Sequence, residues 1–153
     1  MSGGTQAALK NLRRFTRTRL KGYAERRNHP ELDGTSQLSP YLHFGHMGPH
    51  TVALAVKKAP APRADRDAFL EEFIVRRELA VNFVRFNRHY DRVDCWEPWA
   101  KRSLTIHGGD VRKPRYTEKQ LEFAETHDPL WNAAQKQMIL TGWMHGYVRM
   151  YWA

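Results

Sequence analysis

The sequence predicts an all-α protein. Three observations carry that reading. Apolar residues recur at steps of three to five along several segments. Turns rich in Pro and Gly separate those segments. No stretch alternates polar and apolar residues as a convincing strand would, and neither an internal repeat nor a low-complexity tract interrupts the pattern.

The elements follow in order. Leu9, Leu12, Phe15 (or Thr16), Leu20 and Tyr23 predict one helix from Thr5 to about Asn28. His29-Pro30 ends it, because Pro disfavours helix at the residue before it. Residues 30–40 form a polar loop. Ser39-Pro40 then reads as an N-cap with Pro at the first helical position, opening a short helix to about Phe44. Another helix runs from Gly48-Pro49 to about Lys58, and residues 59–64 are a Pro-rich connector. Asp65 to about Asn87 is the strongest helix, with Phe69, Phe73, Ile74 (or Val75), Leu79, Phe83 and Phe86 on one side. Residues 88–115 read as irregular, with Trp96 and Trp99 placed to plug the core edge. Thr117 caps a helix to about Thr126, Asp128-Pro129 starts one to about Thr141, Gly142 breaks it, and a last helix begins near His145.

Composition bounds the class. At 153 residues, with 41% hydrophobic and 27% charged residues, the chain suits one folded domain. The lone Cys95 excludes an internal disulfide framework and points to a reducing, cytoplasmic setting. No apolar run is long enough for a membrane span, and the start is neither a signal nor a transit peptide. The net charge of +9 is uneven. Eight of the 25 Lys/Arg lie in residues 1–27, against the single acid Glu25. That basic segment reads either as a face for a polyanion or as a solvated helix face, one that could also pair with acids elsewhere. The chain ends inside an apolar, aromatic run holding Trp143, Met144, Met150 and Trp152, with no helix-stop residue, which predicts a continuation beyond Ala153.

Four patterns carry candidate chemistry. The hydroxyls of Thr35, Ser36 and Ser39 lead into a helix start, an arrangement suited to phosphate or diphosphate, although any Ser/Thr-rich helix start looks similar. Glu72 and Arg76 stand at i and i+4 and so share a helix face, either as an ion pair or as a carboxylate and guanidinium presented to a ligand. His43, His46 and His50 have superficially metal-like spacing, but Gly45 and Gly48-Pro49 break any helix that would align them, so no metal site is expected. Trp131 and Trp152 fall on successive helices, either as core or as adjacent rings able to pass an electron.

Taken together, Tyr23-AER-Arg27, Gly34-TSQLSPYLHF-Gly45, Phe69-LEEFIVRREL-Ala80, His127-DPLWNAAQ-Gln135 and Gly142-WMHGYVRMYW-Ala153 resemble the class II cyclobutane-pyrimidine-dimer photolyases, across nearly the whole chain. The resemblance implies part of a multi-helix photolyase-type FAD-binding domain, incomplete at the C-terminus. The family's N-terminal antenna domain and its C-terminal flavin-ring segment would lie outside this sequence. It implies FAD as cofactor and UV-damaged DNA as partner, without membrane or metal. It implies light-driven repair of pyrimidine dimers by electron transfer from reduced FAD, as part of a complete protein. The alternatives are a cryptochrome-type FAD photoreceptor and a catalytically inactive basic DNA-binding fragment. By matching positions, Tyr23, Thr35, Ser36, Gln37, Leu38, Ser39 and Arg76 would contact FAD. Arg27, Glu72, Gly146, Tyr147 and Met150 would meet the lesion or DNA. Glu72 would hydrogen-bond the dimer, and Trp131 with Trp152 would belong to an electron-transfer chain.

Overall fold

The computed structural model describes residues 2–153, and every regular element among them is helical. Ten α-helices follow in order: α1 (Thr5–Arg14), α2 (Tyr23–Arg26), α3 (Ser39–His43), α4 (Pro49–Lys58), α5 (Arg63–Leu70), α6 (Arg77–Phe86), α7 (Pro98–Ile106), α8 (Glu118–Glu122), α9 (Pro129–Thr141) and α10 (Gly146–Trp152).

The expected first helix is broken. After α1 the chain widens into a π-helical turn, Phe15–Arg19, closed by the Leu20 N–H donating to the Phe15 carbonyl at 2.9 Å. Gly22 then adopts φ +79°, a left-handed conformation that glycine enters without steric cost, and α2 starts after it. The wide turn lets Phe15, Arg19 and Leu20 all face inward. Alpha periodicity alone does not anticipate that.

The core is built mainly from the first half of the chain. Ala8, Leu12, Phe15, Leu20, Tyr23, Leu38, Tyr41, Val52, Val56 and Phe69 are buried together. Phe15, Tyr23 and Phe69 form an aromatic triangle with centroids 5.8, 4.9 and 5.4 Å apart. Truncating one of these rings to Ala would cost about 3–5 kcal/mol. Gly34 is required by close approach: a Cβ there would lie 2.7 Å from the Arg26 carbonyl oxygen.

Several expectations need correction. Ser39 is not the N-cap of its helix; Leu38 holds that position, and no side chain bonds the cap. The segment Arg63–Phe86 is helical throughout but carries a π-helical stretch, Glu71–Arg76. Its apolar stripe is buried only at the start. Phe69 is inside, whereas Ile74, Leu79, Phe83 and Phe86 are exposed. Residues 88–115 are not wholly irregular, since they contain α7, opened by Pro98 at its first turn. Trp96 and Trp99 do not plug the core; both are exposed. The helix capped by Thr117 ends at Glu122 rather than near Thr126. Two expected starts are observed. Thr117 and Gln120 form a capping box, and the Asp128 carboxylate accepts the Leu130 and Trp131 N–H groups.

Candidate functional site

Two grooves, each of about 380 Å³, share a wall. The first is lined by Thr35, Ser36, Gln37, Ser39 and Pro40, faced by Met138, Trp143 and Met144 across it. The second is lined by Tyr23, Arg27, Asn28, Glu72, Tyr147 and Met150. Gly146 and Arg149 line both, so the first turn of α10 forms the partition.

The loop of the first groove is held from behind. The Asn11 amide donates to the Ser36 and Gln37 carbonyls at 3.2 and 3.1 Å. Gln37 sits at φ +54° and donates its side-chain amide to Asp33. Leu38 turns its side chain into the core, so only its backbone is available to a ligand. The Ser36 hydroxyl is engaged by the Leu38 N–H at 3.3 Å. The Thr35 hydroxyl is buried and has no partner. A buried hydroxyl left unpaired costs about 1–3 kcal/mol, so this atom marks a place where a ligand oxygen would complete the bonding. These residues fit a polar, phosphate-bearing cofactor.

In the second groove Arg27 donates to the Glu72 carboxylate at 2.5 Å. That hydrogen bond raises the Arg27 pKa above the usual guanidinium value, with burial opposing it. Burial raises the Tyr23 phenol, and the neighbouring Arg27 works against that rise. Sequence spacing paired Glu72 with Arg76, but the π-helical stretch changes the partners. Arg76 Nε approaches Glu71 instead, at 3.8 Å, leaving Glu72 to Arg27. Arg76 lines neither groove. Tyr23, expected to contact FAD, lines the Arg27–Glu72 groove. Arg149 was not singled out from sequence. Its position three residues after Gly146 on the same short helix is the signal that would have found it.

The Trp131 and Trp152 rings stack, with centroids 6.0 Å apart and planes 12° from parallel. Each indole N–H is satisfied. Trp131 donates to the Trp152 carbonyl at 2.9 Å, and Trp152 donates to the buried Gln135 amide oxygen at 3.0 Å. The basic N-terminal segment is partly internal. Arg19 is buried and paired with Asp33, and burial lowers its pKa, with Asp33 opposing. The histidines 43, 46 and 50 assemble no metal cluster among the described residues, and His46 Nδ1 instead accepts the Gly4 N–H. No helix among those residues is long and apolar enough to cross a membrane.

Comparison with known proteins defines first the class of fold. A solved class III photolyase from Agrobacterium tumefaciens superposes with a TM-score of 0.70 at 27% identity, over 97% of this chain and 30% of that one. Curated relatives then place the sequence. A deoxyribodipyrimidine photo-lyase of Methanothermobacter thermautotrophicus is 46% identical over 150 residues, covering 98% of this chain and 33% of the relative. One from Oryza sativa subsp. japonica is 50% identical over 143 residues, covering 91% of this chain and 28% of the relative. No family model matches. The chain belongs to the photolyase/cryptochrome superfamily, and it spans about a third of the length of the curated relatives it matches.

Proposed function

We propose that this chain is part of a class II photolyase, which repairs cyclobutane pyrimidine dimers in DNA by light-driven electron transfer from FAD. The observation that carries the reading is the shared wall. A groove whose unpaired hydroxyl awaits a ligand oxygen lies against a groove with a charged pair at its edge, so a cofactor and a substrate held there would touch.

Bound FAD would supply one chemical capability, donation of a single electron on illumination. The residues of the chain do the rest. Thr35, Ser36, Gln37 and Ser39 would hold the diphosphate side, and Arg149, which lines the same groove, would add a positive charge there. Arg27 and Glu72 would engage the dimer together, since Arg27 spends part of its donor fork on Glu72 and keeps the remainder for base carbonyls. Met150, exposed on α10, would lie beneath an extruded lesion, with Gly146 and Tyr147 at its edge. A damaged step is already poorly stacked, so its extrusion costs less than that of an intact base. Trp131 and Trp152, stacked and with their N–H groups bonded to amide oxygens, would relay electrons toward the cofactor.

The test is light-dependent loss of thymine dimers from an oligonucleotide, using the intact polypeptide that carries this chain. Glu72→Ala should lower repair yield by tenfold or more while weakening DNA binding less, because it frees the Arg27 guanidinium that Glu72 holds in place, and it is the Arg27 contact that negative charge developing on the dimer would strengthen. Dimer loss in the dark, or no loss in light, refutes the proposal.

A further inference from the structure

Asp65 is almost wholly buried, at 6% exposure, and none of the candidate roles above uses it. Its two carboxylate oxygens are both committed to backbone far away in sequence. Oδ2 accepts the Gly22 N–H at 2.8 Å and Oδ1 accepts the Ala24 N–H at 2.9 Å. No Lys, Arg or His among the described residues lies in ion-pair range of it. Burying a carboxylate without a cation is costly, and these two bonds are what offset that cost.

The segment it grips is the one that presents Arg27. Helix α2 is four residues long, entered through a left-handed glycine, and too short to hold a shape by itself. It is held by one stripe of the neighbouring helical segment. Asp65, Phe69 and Glu72 follow at helical steps of four and three, and they touch α2 in the same order. Asp65 takes the amides of its first turn, Phe69 packs on the Tyr23 ring at 5.4 Å, and Glu72 receives Arg27 at 2.5 Å. The middle contact is apolar and non-directional, so it tolerates sliding. The outer two set the register between the segments.

We propose that Asp65 is a positioning residue, which sets where Arg27 meets Glu72 and through that pair tunes the affinity of the groove for its ligand. The inference rests on the reading of that groove as the lesion site. The experiment is a double-mutant cycle in the intact polypeptide, with Asp65→Ala and Asp65→Asn each combined with Arg27→Ala. Binding is read as the ratio of affinities for one oligonucleotide with and without a thymine dimer, and thermal stability is measured on the same samples. Asp65→Asn keeps the size and one acceptor, so it covers the case in which Asp65→Ala does not fold. The expected result is a fall of about tenfold in the ratio, equivalent to about 1.4 kcal/mol, that disappears when Arg27 is already Ala. The stability losses of the two positions should still add. An equal fall in both Arg27 backgrounds, or no fall, overturns the proposal. If the parent protein shows no preference for the dimer, the lesion reading itself has failed, and positioning is read from the Arg27 Nε–H resonance instead. Asp65→Asn should move that signal and leave that of Arg76 unmoved; an unmoved Arg27 signal overturns the inference.

Discussion

Thr35 illustrates how a single atom separates folding from function. Its hydroxyl is buried without a partner, so replacing Thr35 by the near-isosteric Val removes a polar group whose burial destabilises the unliganded chain. Thr35→Val is therefore expected to raise unliganded stability by about 1 kcal/mol or leave it unchanged, while lowering flavin retention about tenfold. Thermal melts with and without added FAD measure both. A variant that melts earlier yet keeps its flavin would contradict that assignment. At this scale the sequence was only partly legible. Thr35 and Ser36 stood out because hydroxyls cluster before Pro40, yet their different states depend on packing. The Ser36 hydroxyl is taken by the Leu38 N–H, and the Thr35 hydroxyl by nothing. Leu38 could not be separated from its neighbours by residue type, although its side chain belongs to the core. Asp65 read simply as a helix-start acid, because its partners Gly22 and Ala24 are more than 40 residues away.

The element scale was read best where ends are written in local chemistry. Asp128-Pro129 and Gly142 bound α9 as expected, because an N-cap carboxylate, a Pro in the first turn and a left-handed glycine act through neighbours in sequence. The π-helical stretches were missed because their cause is tertiary. Helix α10 adds a titratable cap. The His145 Nδ1 accepts the Tyr147 N–H at 3.1 Å, which leaves Nε2–H as a buried donor with no hydrogen bond of ordinary geometry and only the nearby Arg27 carbonyl as acceptor. Burial lowers the His145 pKa, with the nearby Arg27 carbonyl and Glu31 opposing. A histidine whose folded pKa lies below its unfolded value binds its proton more readily when unfolded. Its contribution is thus intact above about pH 6.5 and is lost as pH falls through that value toward the folded pKa. Melting temperature should fall on acidification through this window. His145→Asn keeps a capping oxygen without the titration and should flatten that slope. An unchanged slope in the variant would assign the pH dependence to other groups.

For the whole molecule, the division of burial matters most. The first 70 residues supply most of the core, whereas the later helices carry Leu79, Phe83, Phe86, Ile139, Leu140 and Met150 on the surface. Exposed apolar area on this scale drives association. The chain of 153 residues, produced alone, is expected to self-associate with rising concentration, and more so in high salt as its +9 charge is screened. Light scattering across a dilution series tests this, and a monomer throughout would show that the apolar groups are too dispersed to act together. The class of fold was legible from periodicity alone, but the side each helix buries was not. Phe83 and Phe86 have the spacing of core residues, yet both stay exposed among the described residues.

The π-helical stretch at Glu71–Arg76 also turns chain length into a determinant of pairing. A π turn accommodates one residue more than the α turn it replaces, so it behaves as a single-residue insertion absorbed without breaking the helix. Deleting one residue there would close the stretch to ordinary α geometry and rotate everything before it by about 100° relative to everything after it. The residue types would be almost unchanged, but Asp65 and Glu72 could no longer both face α2 while α6 keeps its place. Which carboxylate meets Arg27 is thus encoded in a count of residues as much as in their identity, and an alignment that slips by one position here would assign the groove to the wrong acid.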